Sequence, residues 1–124
     1  VITLVDVFVP GRLTNPLNGP HRHWSQRARW AKEWRTRVVI HVGAALGQQG
    51  GRLPAAAAPK RITFMARTGR TWDDDNLRAG LKPVRDGLIA AGVIDDDGGD
   101  RHEFVYRQHV DRRHPGVQIV IAEK

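Results

Sequence analysis

Residues 61–92 read RITFMARTGRTWDDDNLRAGLKPVRDGLIAAG, and the division of this run decides the fold class. Arg61 to Arg67 alternates, with Ile62, Phe64 and Ala66 on one side, which predicts a strand with one buried face. From Asn76 to Ala91 the apolar residues Leu77, Leu81, Val84, Leu88 and Ala91 return at helical spacing. Pro83 interrupts that pattern, so the helix is expected either to kink there or to begin anew near Lys82. Gly92 is a natural stop. The join between strand and helix is acidic, Asp73-Asp74-Asp75-Asn76.

Upstream, Ile2 to Val9 is rich in branched residues and stops at Pro10-Gly11, predicting a first strand and a turn. Arg12 to His23 contains Pro16, Asn18, Gly19 and Pro20 and is expected to be a loop. Ser25 is a candidate N-cap for a helix to about Leu46, with Ala31, Trp34, Val38, Val42 and Ala45 on one buried face. Gly47 to Pro59 is expected to be a loop or linker. Downstream, Asp95 to Asp100 is an acidic turn, and Glu103–Asp111 and Val117–Glu123 read as strands joined around His114-Pro115-Gly116 as a hairpin. The order strand, helix, strand, helix, strand, strand predicts one α/β domain over residues 1–124, a mixed β-sheet flanked by two helices.

The 124 residues are one domain's worth, long enough for a real core without staples. The absence of cysteine excludes disulfides and thiolate metal sites and fits a cytoplasmic protein. No apolar run approaches the length of a membrane span. Val1 to Val9 reads as a strand and not as a signal peptide, and the opening on Val1 is compatible with a missing start residue or short leader. No P-loop, dinucleotide fingerprint or nucleophile elbow is present, so no nucleotide cofactor or serine mechanism is expected.

Twenty Lys and Arg stand against thirteen Asp and Glu, a formal charge of +7, and sixteen of the cations are arginine. Arginine suits planar contacts to phosphate, and a surplus of this size suggests a polyanionic partner. A GC-rich genome is the bland alternative. Nine of the thirteen acids lie between Asp73 and Glu103. One concentrated acidic patch on a basic chain makes sense if the patch holds cations and its surroundings hold phosphates.

In an extended segment, residues two apart point the same way, so Asp73 and Asp75 are expected to converge. Two carboxylates about 4 Å apart repel by ~4 kcal/mol at an effective dielectric of 20, and a hard divalent cation relieves that. Helix capping is the competing explanation for one of the three acids. Asp95-Asp96-Asp97 is equally a solvated turn or a ligand set, because about sixteen helical residues span ~24 Å unless Pro83 folds the chain back. Lys82, seven residues after Asp75, is a partner of those acids, a phosphate ligand beside the metal, or an ordinary surface lysine paired with Asp86.

The ordered combination Asp73-Asp74-Asp75-Asn76-Leu77, Lys82, Asp86-Gly87-Leu88, Ala91-Gly92-Val93-Ile94 and Asp96-Asp97 resembles the RusA-type Holliday-junction resolvases. That resemblance implies Asp73, Asp75 and Asp97 as catalytic metal ligands, with Asp96 replacing Asp97 if the turn is shifted by one. It implies Lys82 as the active-site lysine, with Mg2+ or Mn2+ as cofactor. It also implies a homodimer making paired cuts in a four-way DNA junction. Against the family pattern, Arg78, Ala79 and Gly80 look like a one-turn insertion that keeps Lys82 on the same face.

Arg67 and Arg70 precede the acids and are candidate phosphate clamps, and Arg27 and Arg29 are candidate DNA contacts on the first helix. Trp34 fits the core, while Trp24 and Trp30 are candidates for DNA or subunit contact. His21 and His23 are expected to meet phosphate or solvent; His41, His102, His109 and His114 lack ligand spacing. Two alternatives to junction resolution stand: cleavage of flaps or other branched replication intermediates, and DNA binding without catalysis.

Overall fold

The computed structural model describes residues 2–14, 24–48, 53–95 and 100–124. Strand β1 (Thr3–Pro10) is followed by α1 (Trp24–Gln48), β2 (Lys60–Thr68), α2 (Asp74–Ala90), β3 (Glu103–Val110) and β4 (Gly116–Glu123). The four strands form one mixed sheet in the order β1-β4-β2-β3. The α/β fold expected from the residue pattern is present, and both helices share one face of the sheet, since they pack on each other within one core.

Alternation explains the layers. Ile62, Phe64 and Ala66 of β2 and Val117, Ile119 and Ile121 of β4 are buried under the helices. The helices answer with Trp30, Trp34, Val38 and Val42 from α1 and Leu77, Leu81, Val84 and Leu88 from α2, each set at helical spacing. Burying apolar area at about 25 cal/mol per Å2 is the main force closing this interface. The helices approach closely at Gly87, where a Cβ would stand 2.6 Å from Val38 Cβ. No helix among the described residues is long and apolar enough to cross a membrane.

The sheet corrects the expected hairpin. β3 and β4 do not pair; β3 lies parallel to β2, while β4 runs antiparallel to both β1 and β2. Burial decides the placement: β4 (GVQIVIAE) is mostly buried and takes an inner position, while the polar β3 (EFVYRQHV) is left at the margin, where charged side chains are tolerated.

Pro83 does not end the helix either. α2 runs unbroken from Asp74 to Ala90 with Pro83 buried inside it. α1 begins at Trp24, which puts Ser25 inside the helix and not at its N-cap. Trp30 is 7% exposed and belongs to the core, one turn before Trp34, so it is not available for DNA or subunit contact. Trp24 is 70% exposed.

Candidate active site at the start of the second helix

The acidic corner is built where β2 hands the chain to α2. Gln108 of β3 holds the Trp72 backbone at both groups: Trp72 N–H donates to Gln108 Oε1 at 2.9 Å, and Gln108 Nε2 donates to Trp72 O at 2.6 Å. The Trp72 ring packs on Gly80, where a Cβ would stand 2.6 Å from Trp72 Cζ3. The helix therefore starts from a segment held from two sides.

Asp73 is the N-cap, with φ −70° and ψ 165°. Its Oδ1 accepts from Asn76 N at 2.9 Å and its Oδ2 from Asn76 Nδ2 at 2.9 Å. The first helical hydrogen bond, Leu77 N to Asp73 O, is 2.9 Å. The Asp-x-x-Asn spacing thus orients one carboxylate with a single asparagine. Asp74 and Asp75 occupy the first helical turn, where the helix dipole favours negative charge. All three aspartates are exposed.

The convergence expected for Asp73 and Asp75 rests on an extended chain, and the chain here is helical from Asp74 onward. Successive side chains turn by about 100° at 3.6 residues per turn. The two acids are neighbours on one capped turn, not partners on one side of a strand. Among the described residues no group of three His, Cys, Asp or Glu side chains could hold a metal ion.

Each carboxylate taken singly keeps oxygen-donor capacity of the kind a hard cation uses. Mg2+ keeps several waters and uses one or two carboxylates plus substrate phosphates. Each carboxylate oxygen has two lone pairs. Asn76 takes one from each oxygen of Asp73, and Asp75 has no hydrogen-bond partner among the described residues, so donor capacity remains on both.

Asp96 and Asp97 lie outside the described residues, as do His21 and His23. Asp95 precedes Asp96 directly. Asp95 N–H donates to Ala56 O at 3.1 Å, just ahead of β2, whereas Asp73 follows the far end of that strand. The uninterrupted 17 residues of α2, about 25 Å in length, lie between Asp73 and Asp95 in the chain. No fold-back at Pro83 shortens that distance. Asp95 itself is engaged: buried His102 donates from Nε2 at 2.7 Å, and Arg101 pairs with its other oxygen. The His102 hydrogen bond, then the Arg101 charge, hold its carboxyl below the usual range.

Lys82 stands two turns into α2, and its ammonium bonds Asp86 at 3.0 Å rather than Asp73 or Asp75. Arg67 lies on the sheet face turned away from the helices, its guanidinium 4.4 Å from the centre of the Phe8 ring. Arg70 is exposed in the segment leading to Asp73, and Arg27 and Arg29 are exposed on the first turns of α1. Residue patterns alone do not reveal Gln108. Its only signal is polarity at a helix-facing position of β3, two residues beyond Tyr106.

No family model matches this chain. It is 34% identical over 101 residues to a protein of Xylella fastidiosa (strain Temecula1 / ATCC 700964) described as uncharacterized. The matched region covers 81% of this chain and 63% of that relative.

Proposed function

We propose that the chain is a metal-dependent endonuclease of the RusA type, resolving four-way DNA junctions by paired phosphodiester cuts. The observation that supports it most is the exposed Asp73–Asp75 turn, two oxygen-donor residues with remaining capacity on a positively charged chain. Mg2+ or Mn2+ held by Asp73 and Asp75 would supply Lewis-acid polarisation of a phosphate oxygen and a water acidified for attack. The protein's own residues do the positioning. Asn76 fixes the Asp73 carboxylate, Gln108 fixes the backbone before it, and Arg70 and Lys82 offset phosphate charge on either side.

Asp97, the third acid that the resemblance implies, is part of this proposal as a ligand. The homodimer that the resemblance implies is likewise part of this proposal. A cytoplasmic location belongs to it as well, supported by the absence of cysteine.

The test is strand cleavage of a labelled synthetic four-way junction, with linear duplex and a flap alongside, in Mg2+ or EDTA. Symmetric cuts near the crossover, lost in EDTA and in Asp75→Asn, support resolution. Cutting of the flap alone keeps the metal chemistry and shifts the substrate to other branched intermediates. The engagement of both Asp73 carboxylate oxygens by Asn76 favours a second reading, DNA binding without catalysis. Tight binding with no cleavage in Mg2+ or Mn2+ would select it.

A further inference from the structure

Beyond the acidic turn, the exposed flank of α2 faces the helix-side residues of the marginal strand β3 across a groove of about 570 Å3 lined by Arg78, Ala79, Lys82, Arg85, Asp86, Ile89 and Tyr106. Three cations follow one face at i, i+4 and i+7. Two of them sit on aromatic rings of β3: Arg78 Cζ is 5.0 Å from the Tyr106 ring centre and Arg85 Cζ is 3.9 Å from that of Phe104. A guanidinium held by a ring quadrupole spends no N–H donor on an acceptor, so its planar donor fork stays available for phosphate oxygens. Arg78 and Arg85 have no carboxylate partner among the described residues, and Lys82 has one, Asp86, while remaining 73% exposed.

The spacing fits a chain of phosphates better than a single anion. From Arg78 to Arg85 the helix rises about 10.5 Å at 1.5 Å per residue, and one DNA strand presents a phosphate every ~3.4 Å of axis. The row is long enough to meet more than one phosphate of one strand. Arg78 lies three residues after Asp75, so the row begins one turn from the acidic corner and leads away from it.

We infer that Arg78 and Arg85, mounted on Tyr106 and Phe104 and joined by Lys82, form a track for the phosphates of one nucleic-acid strand entering or leaving the Asp73–Asp75 turn. This rests on the nuclease reading above and adds to it a surface for the substrate strand. The segment Arg78-Ala79-Gly80 is then not a neutral insertion: it supplies the first cation of the track.

Fluorescence anisotropy of labelled four-way junction, duplex and single strand, titrated in EDTA from about 50 to 200 mM KCl, reads the track without cleavage. A log–log salt slope of about −0.9 accompanies each phosphate neutralised on duplex DNA. The Arg78→Gln/Arg85→Gln variant should therefore lose about 1.8 from the slope, while Arg78→Lys/Arg85→Lys keeps it. Should loss of the Phe104 contact unfold the glutamine variant, Arg78→Glu at its exposed position should lower the slope by at least about 0.9. An unchanged slope in Arg78→Glu, with wild type binding and cutting DNA, overturns the track and leaves the nuclease reading intact. Wild type that binds none of the three DNAs removes both.

Discussion

Gln108 and Trp72, 36 residues apart, are joined at both polar groups of the Trp72 backbone, at 2.9 and 2.6 Å. The amide of Gln108 substitutes for a neighbouring strand at the point where β2 has ended and α2 has not begun. Removing it in Gln108→Ala leaves a half-buried N–H and C=O without partners. A loss of about 1–3 kcal/mol is expected, read by urea unfolding, together with faster hydrogen exchange at the Trp72 amide. Under the nuclease proposal, slower cleavage at temperatures where the variant remains folded would follow from a loosened Asp73.

Asp73 and Asp75 should separate by readout. Asp73→Ala removes the cap and should cost about 1 kcal/mol of stability, whereas Asp73→Asn keeps an acceptor for Asn76 N–H and most of that stability. Asp75→Asn lies within the helix and should change stability little. Under the nuclease proposal both asparagine variants lose cleavage. Thermal melts beside the junction assay check the split; retained cleavage in Asp75→Asn would remove it from the chemistry.

Acid should loosen the turn at the other end of α2. The Asp95 carboxyl is held below its ordinary value of 3.8 by the His102 hydrogen bond and the Arg101 charge. The folded state therefore binds fewer protons here than the unfolded chain. The resulting stability is present above about pH 4 and is lost as pH falls through the folded value. Asp95→Asn should flatten that part of the stability–pH curve, measured by urea midpoints between pH 2 and 6. An acid limb as steep as wild type would assign it to other carboxylates.

Gly80→Ala should gain helix propensity and lose more than it gains, because the added methyl meets the Trp72 ring. Overpacking of this kind costs about 1–3 kcal/mol, against roughly 1 kcal/mol of improved propensity. A small net loss of stability with a large change in Trp72 fluorescence is the expected pair of results. Unchanged fluorescence would mean that the ring has another seat.

Local periodicity made the elements legible. Leu77, Leu81, Val84 and Leu88 name the buried side of α2, and Ile62, Phe64 and Ala66 that of β2, because each residue's orientation depends only on its own stretch of chain. Strand order depends on partners far away in sequence. The turn at His114-Pro115-Gly116 suggests a hairpin on local grounds, but the greater apolar burial available to β4 places it between β1 and β2. The contrast of GVQIVIAE with EFVYRQHV carries that distinction, in composition rather than in the turn. At the candidate site the acids are visible as a motif. Their support is not: Gln108 reaches Trp72 only once β3 lies beside β2, and Trp30 is buried because it stands four residues before Trp34 on the face of α1 that enters the core.

The position of β4 bears on how the chain assembles. β1 and β2 have no pairing with each other; both join the sheet through β4, which follows them in sequence. Thr3 meets Ala122, so the first strand finds its partner across nearly the whole chain. Such distant closure is slow, since loop entropy is lost before the contacts are made. The β2-α2-β3 unit can gather early from nearer neighbours. During synthesis β1 must wait until residues 116–123 leave the ribosome, and a chain stalled before that point holds its first strand unpaired, as a ready client for a chaperone.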